Sequence, residues 1–167
     1  MIQLNFGGHV SGQPDFMPFP ESTRKAITAA RDRTRWIARN VRTADPYFKT
    51  LPAGRTLTDL IGDSSIWISY FVSTLALGVI IGPANKEIAI GDMAFAAGQQ
   101  MVLATLIHEL AHAGGAPILT GHAAERAVLA CGLGKQSELK RGVDDPKTPY
   151  DPTIMGSARP RTGRAFA

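Results

Sequence analysis

One cysteine, Cys131, stands in a chain of 167 residues. That excludes an intramolecular disulfide, so the fold has to be held by its core, and it fits a reducing compartment. Cys131 itself sits in an apolar helix-forming segment and reads as a small core residue. Long hydrophobic runs are missing as well. The most apolar stretch, residues 71–81, is too short to cross a bilayer and carries Ser73, Thr74 and Gly78, so it reads as buried strand or core. The first nine residues have neither the basic segment nor the apolar run of a secretory leader. The expected location is therefore cytoplasmic, or outside the cell after export without a classical signal peptide. There is no internal repeat and no linker that divides the chain.

What is present is ordinary for a globular protein: 44% hydrophobic and 19% charged residues. The expectation is one domain over residues 1–156, followed by a basic tail, residues 157–167, with Arg159, Arg161 and Arg164. The net charge is +4, and a basic balance raises nucleic-acid binding as a reading. Most of the excess lies at Arg24, Lys25, Arg31, Arg33, Arg35, Arg39 and Arg42. In the same segment Ile27, Ala30, Thr34, Ile37 and Val41 form the stripe of an amphipathic helix, which leaves the arginines on its solvated face. With no recognition motif beside the charge, nucleic acid is not the expected partner.

Periodicity and turn residues outline the elements. Residues 1–20 carry Pro14, Pro18 and Pro20 and read as an irregular or short-stranded lead-in. Ser22 is expected to cap a helix running to about Arg42, stopped by Asp45-Pro46. Residues 43–63 read as loop, with a short helical turn at 58–61. Residues 66–72 are β-branched and aromatic and read as strand. Residues 78–81 and 87–90 read as two strands joined in a hairpin. Residues 141–156 carry Pro146, Pro149 and Pro152 and read as loop. The sum is α+β, a small sheet packed on helices.

The chemistry is concentrated after the hairpin. Residues 108–112 read His108-Glu109-Leu110-Ala111-His112. On a helix, positions i and i+4 lie about 40° apart around the axis, so both imidazoles leave one face and can grip one metal ion. Glu109 stands beside the first of them, where its carboxylate can take a proton from a metal-activated water. Residues 101–107 are apolar and built mostly of helix formers, and Gly114-Gly115 with Pro117 stop the helix just past His112. Three of the four histidines, His108, His112 and His122, fall within fifteen residues. Neutral imidazole suits Zn²⁺, and a catalytic zinc takes three protein ligands and keeps one position open.

The third ligand is expected on a second helix from about His122 to Cys131, with Thr120 as its cap and Gly132 as its stop. His122 and Glu125 share a face there, and either can complete the site. Glu125 shares its stripe with Val128, Leu129 and Gly132, which looks core-facing, and a carboxylate aimed into a core is costly unless paired or metal-bound. That favours Glu125, with His122 as the alternative.

The segment Leu106-Ile107-His108-Glu109-Leu110-Ala111-His112 resembles the active-site helix of the zincin metallopeptidases. The resemblance implies that His108 and His112 bind Zn²⁺ and that Glu109 is the general base. A third ligand on a following helix is similar to the gluzincin arrangement, with Glu125 in that place at a shorter spacing than usual. The metzincin pattern is matched at Gly115 but has Ile118 where its third histidine would be, and Thr153-Ile154-Met155-Gly156 looks like a Met-turn. The layout looks closest to small bacterial zincin domains, including those of secreted effectors. It implies a small twisted, mostly antiparallel sheet over the motif helix, with residues 86–90 as an edge to which a peptide substrate adds as a strand. It also implies zinc-dependent endopeptidase activity on a peptide or protein, with Tyr150, or else Tyr70 or His9, as second donor to the oxyanion. A toxin, a regulatory protease for one partner protein and a non-catalytic zincin-like binding module fit the same residues.

Overall fold

The computed structural model describes residues 1–73, 76–81, 86–118 and 121–134. Its axis is set by one unusually apolar segment. Every side chain from Met101 to His112 is buried, and a helix that is apolar all round can only be a core helix. This helix, α5 (Gln99–Ala113), is reached after three others that precede the sheet's main strands. They are α1 (Glu21–Asn40), α2 (Ala44–Lys49) and α3 (Leu57–Gly62). A short α4 (Asp92–Ala97) leads into α5, and α6 (Ala123–Ala130) follows it. Helix α5 packs against α1, α4 and α6 and lies under one side of the sheet.

The four strands are β1 (Gln3–Leu4), β2 (Trp67–Phe71), β3 (Gly78–Ile81) and β4 (Glu87–Gly91), in the order β1-β2-β4-β3. The expected hairpin is there: β3 and β4 pair antiparallel, from Gly78 opposite Ile90 to Ile81 opposite Glu87. The expected mostly antiparallel sheet is not. β1 pairs parallel with β2, and β2 pairs parallel with β4. For β1 and β2 the cause is the crossover: α1, α2 and α3 lie between them, so the chain re-enters the sheet in its starting direction. β2 and β4 run parallel because β3, between them in sequence, pairs on the far side of β4.

A second correction concerns the edge. Residues 86–90 are not an edge strand. β4 lies between β2 and β3, and Ile88, Ala89 and Ile90 are all fully buried, as expected of a strand covered on both faces. The edge beside α5 is β3. Side chains alternate across the sheet. Ile68, Ile80, Ile88 and Ile90 join the main core with the helices, whereas Phe71 and Ala89 pack with Phe16 in a second, smaller cluster on the other face.

The helices also depart from expectation at their ends. α1 starts at Glu21 behind Pro20, with no side-chain cap, so Ser22 does not cap it. Its buried stripe is Ile27, Ala30, Thr34, Ile37 and Ala38, and Arg24, Arg35, Arg39 and Arg42 are exposed. The segment read as loop after it contains α2, with Pro46 in the first turn, where a missing N–H leaves no hydrogen bond unmade. The helical turn expected at 58–61 is α3, closed by a capping box: the Thr56 hydroxyl accepts from the Asp59 backbone and the Asp59 carboxylate accepts from the Thr56 N–H. Among the described residues, no helix is long and apolar enough to cross a membrane.

Candidate functional site

Local sequence sets the geometry of α5's C-terminal end. The helix stops at Gly114, and Gly115 follows with φ +94°. A left-handed residue in that place reverses the chain. The Ala116 N–H then bonds back to Ala111 O at 3.0 Å and the Gly115 N–H to His112 O at 2.9 Å, the paired bonds of a Schellman cap. The reversal returns the Ala116 carbonyl to within 3.0 Å of His112 Nδ1. With Nδ1 donating there, the lone pair of His112 is left on Nε2.

His112 Nε2 points at His108 Nε2, 3.1 Å away. Two nitrogens bound to one tetrahedral zinc at about 2.0–2.1 Å would stand about 3.3 Å apart. The two imidazoles therefore already hold the spacing of ligands to a single ion. His108, Glu109 and His112 are at most 5% exposed, and so is Glu125 on α6. These are the buried carboxylates and the buried histidines among the described residues. All four belong to two helices packed against each other.

Glu109 lies under the edge strand. A Cβ built at Gly78 of β3 would come within 2.7 Å of Glu109 Oε1. Glu125 is in the first turn of α6, where its Oε1 lies 3.8 Å from His122 Nδ1. His122 is the residue before the helix and provides no side-chain cap. Thr120, the expected cap, lies outside the described residues. Helix α6 ends as expected, at Cys131 and a left-handed Gly132. Among the described residues, no three side chains of His, Cys, Asp and Glu are gathered as a complete ligand set. The histidine pair is formed, and the third position is not.

Tyr47 was not anticipated and belongs to this neighbourhood. Its hydroxyl donates to Ala123 O at 2.9 Å, while the Thr43 hydroxyl donates to Ala130 O. The α2 segment thus grips both ends of α6. Burial pushes the Tyr47 hydroxyl above its ordinary pKa, the Glu125 carboxylate adds to that, and Arg126 opposes it. The sequence signal was Pro46, which suits a helix's first turn as well as a helix stop.

The candidate oxyanion donors fare unevenly. Tyr150 and the Met155 turn lie outside the described residues, as does the basic tail. Tyr70 belongs to an aromatic group, its ring centroid 6.3 Å from that of Phe19 and 5.9 Å from that of Phe95. His9 is not at the site. Its ring stacks on Trp67 at 4.1 Å and its Nε2 meets Glu87 Oε1 at 2.9 Å. Strand alternation puts Trp67 on the face opposite Ile68, so His9 is across the sheet from α5. Cys131 is buried, and burial raises its thiol to about 12, with Asp45 adding to the shift. That is an inert core thiol.

No family model, curated protein or solved structure matches the chain.

Proposed function

We propose that the protein is a zinc-dependent metallopeptidase of the zincin type, hydrolysing a peptide or protein substrate. The observation that carries the reading is the approach of His108 Nε2 and His112 Nε2 to 3.1 Å in a buried site with Glu109 beside them. Its physical support is burial: Glu109 and Glu125 are at most 5% exposed, on helices packed together, and the attraction between a cation and a carboxylate strengthens where water is excluded.

In this reading His108 and His112 are two ligands and Glu125 is the third, with His122 as the alternative beside it. Glu125 is favoured because it is buried on the helix that packs on α5, whereas His122 is half-buried and precedes that helix. Zinc, when bound, would supply Lewis acidity, polarising the substrate carbonyl and acidifying a water. Glu109 takes the proton of that water on its carboxylate and later returns it to the leaving amine. The Ala116 carbonyl holds the His112 tautomer, and such outer partners tune ligand affinity. The substrate backbone adds to the edge strand, which is β3, so that the scissile carbonyl passes over Glu109.

The test is hydrolysis of a proteome-derived peptide library by zinc-supplemented protein, with wild type beside Glu109→Ala. The expected result is cleavage by wild type, a fall of about 1,000-fold in the variant, and the same zinc content in both. Cleavage retained in Glu109→Ala would sink the mechanism. Zinc-loaded wild type that cuts nothing would turn the proposal into a non-catalytic binding module.

A further inference from the structure

We infer that Gly78 is a positioning residue, the seat that lets the Glu109 carboxylate lie directly beneath the edge strand; this rests on the metallopeptidase reading for its catalytic meaning. Gly78 is the first residue of β3, paired opposite Ile90, and a glycine in a strand loses more backbone freedom on folding than alanine and offers no side chain to pack. A strand glycine therefore marks a special conformation or a close approach. Conformation does not require it here, because Gly78 is not among the glycines with positive φ. Space does. A Cβ at position 78 would stand 2.5 Å from Thr105 Cγ2, 2.7 Å from Glu109 Oε1 and 3.0 Å from Glu109 Cγ.

Thr105 and Glu109 are four residues apart, so they share one face of α5, and it is this face that β3 crosses. Thr105 is fully buried, which leaves its methyl little room to yield. The Glu109 side chain thus fills the space that a side chain at position 78 would take. Any side chain there pushes the carboxylate away from the position at which it handles the proton. Gly91, on the neighbouring strand, has a different cause: a Cβ there would meet the Ala76 carbonyl at 2.8 Å, a backbone crossing with no link to the site.

The experiment uses Thr105→Ser as background, which removes the colliding methyl and isolates the contact with Glu109. Gly78→Ala is introduced into that background with and without Glu109→Ala, and melting temperature, zinc content, kcat and KM are measured. With Glu109 present, Gly78→Ala is expected to lower Tm by about 5 °C; with Glu109→Ala, by about 1 °C or less. In the active background kcat falls about 100-fold, as misplacement by about 1 Å does, while KM and zinc content change by less than twofold. An equal Tm penalty with and without Glu109, or an unchanged kcat, overturns the inference. If Gly78→Ala prevents folding only when Glu109 is present, the seat is supported; if it prevents folding in both, the crowding lies elsewhere and the inference fails. The melting comparison needs no turnover, so a chain that cleaves nothing defeats the metallopeptidase reading and leaves the seat to be decided separately.

Discussion

Replacing Gly115 with alanine perturbs the cap that aims His112, and its effect can be worked from the structure. At φ +94° a Cβ costs about 1–2 kcal/mol in backbone strain. The same Cβ would lie 3.0 Å from Ala53 N and 3.1 Å from Pro52 Cβ, so the 51–54 turn has to shift, adding about 1 kcal/mol. That turn is tied to the cap by the Ala53 N–H, which bonds Gly114 O at 2.9 Å. Reduced freedom of the unfolded chain returns about 0.4–1 kcal/mol. The net loss is about 2 kcal/mol, or about 4–8 °C in Tm for a chain of this size. Gly121 supplies the comparison: its φ is +83° and, among the described residues, nothing lies within 4 Å of a Cβ, so Gly121→Ala carries the strain without that crowding and should lose about half as much. The second consequence is on the metal. As the Ala116 carbonyl moves off His112 Nδ1, zinc affinity should fall about 10- to 100-fold. Urea melts of metal-free protein and calorimetric zinc titration measure both. A Gly115→Ala variant within about 0.5 kcal/mol of wild type, with unchanged zinc affinity, would refute the reasoning from cap to ligand.

Three further outcomes follow from individual groups. Glu109→Ala should keep its zinc and lose turnover, which separates ligand from base by elemental analysis and peptide assay on one sample. Cys131, with its thiol raised to about 12, should resist a thiol reagent at pH 8 until urea unfolds the chain; rapid labelling of native protein would show that α6 opens. The Asp63 carboxyl is held at about 2, against an ordinary 3.8, mainly by the Ser65 hydroxyl and also by the Ser65 N–H and Arg55. A depressed folded pKa stabilises above the unfolded value and is lost as pH falls through the folded one. Its contribution should thus be complete above about pH 4 and vanish toward pH 2, and Asp63→Asn should flatten that part of the acid melting curve.

The parts of the fold legible in the sequence are those whose signals are local. Helix α5 and its stop were readable because twelve buried positions run unbroken into two glycines. The β3–β4 hairpin and the α1 stripe were readable by period and turn residues. What escaped was set by long-range pairing. β1 has two residues, too few to show a period, yet it is the first parallel strand and its crossover decides the direction of β2. β4 was taken for an edge from the likeness to the zincin layout, and its own sequence does not say which neighbours it has. α2 was hidden by Pro46, a residue that serves a helix's first turn and its end equally well. The site divides in the same way. His108, Glu109 and His112 come from one helical period. The proximity of Glu109 to Gly78, the reach of Tyr47 to α6 and the Ala116 carbonyl on His112 come from packing between elements distant in sequence.

Metal content tests the site most directly: elemental mass spectrometry on zinc-supplemented, desalted protein, for wild type, His108→Ala, Glu125→Ala and His122→Ala. One zinc per wild-type chain is expected, lost in His108→Ala and Glu125→Ala and kept in His122→Ala. A wild-type chain that retains no zinc, or a His108→Ala chain that retains it fully, would contradict the metal centre.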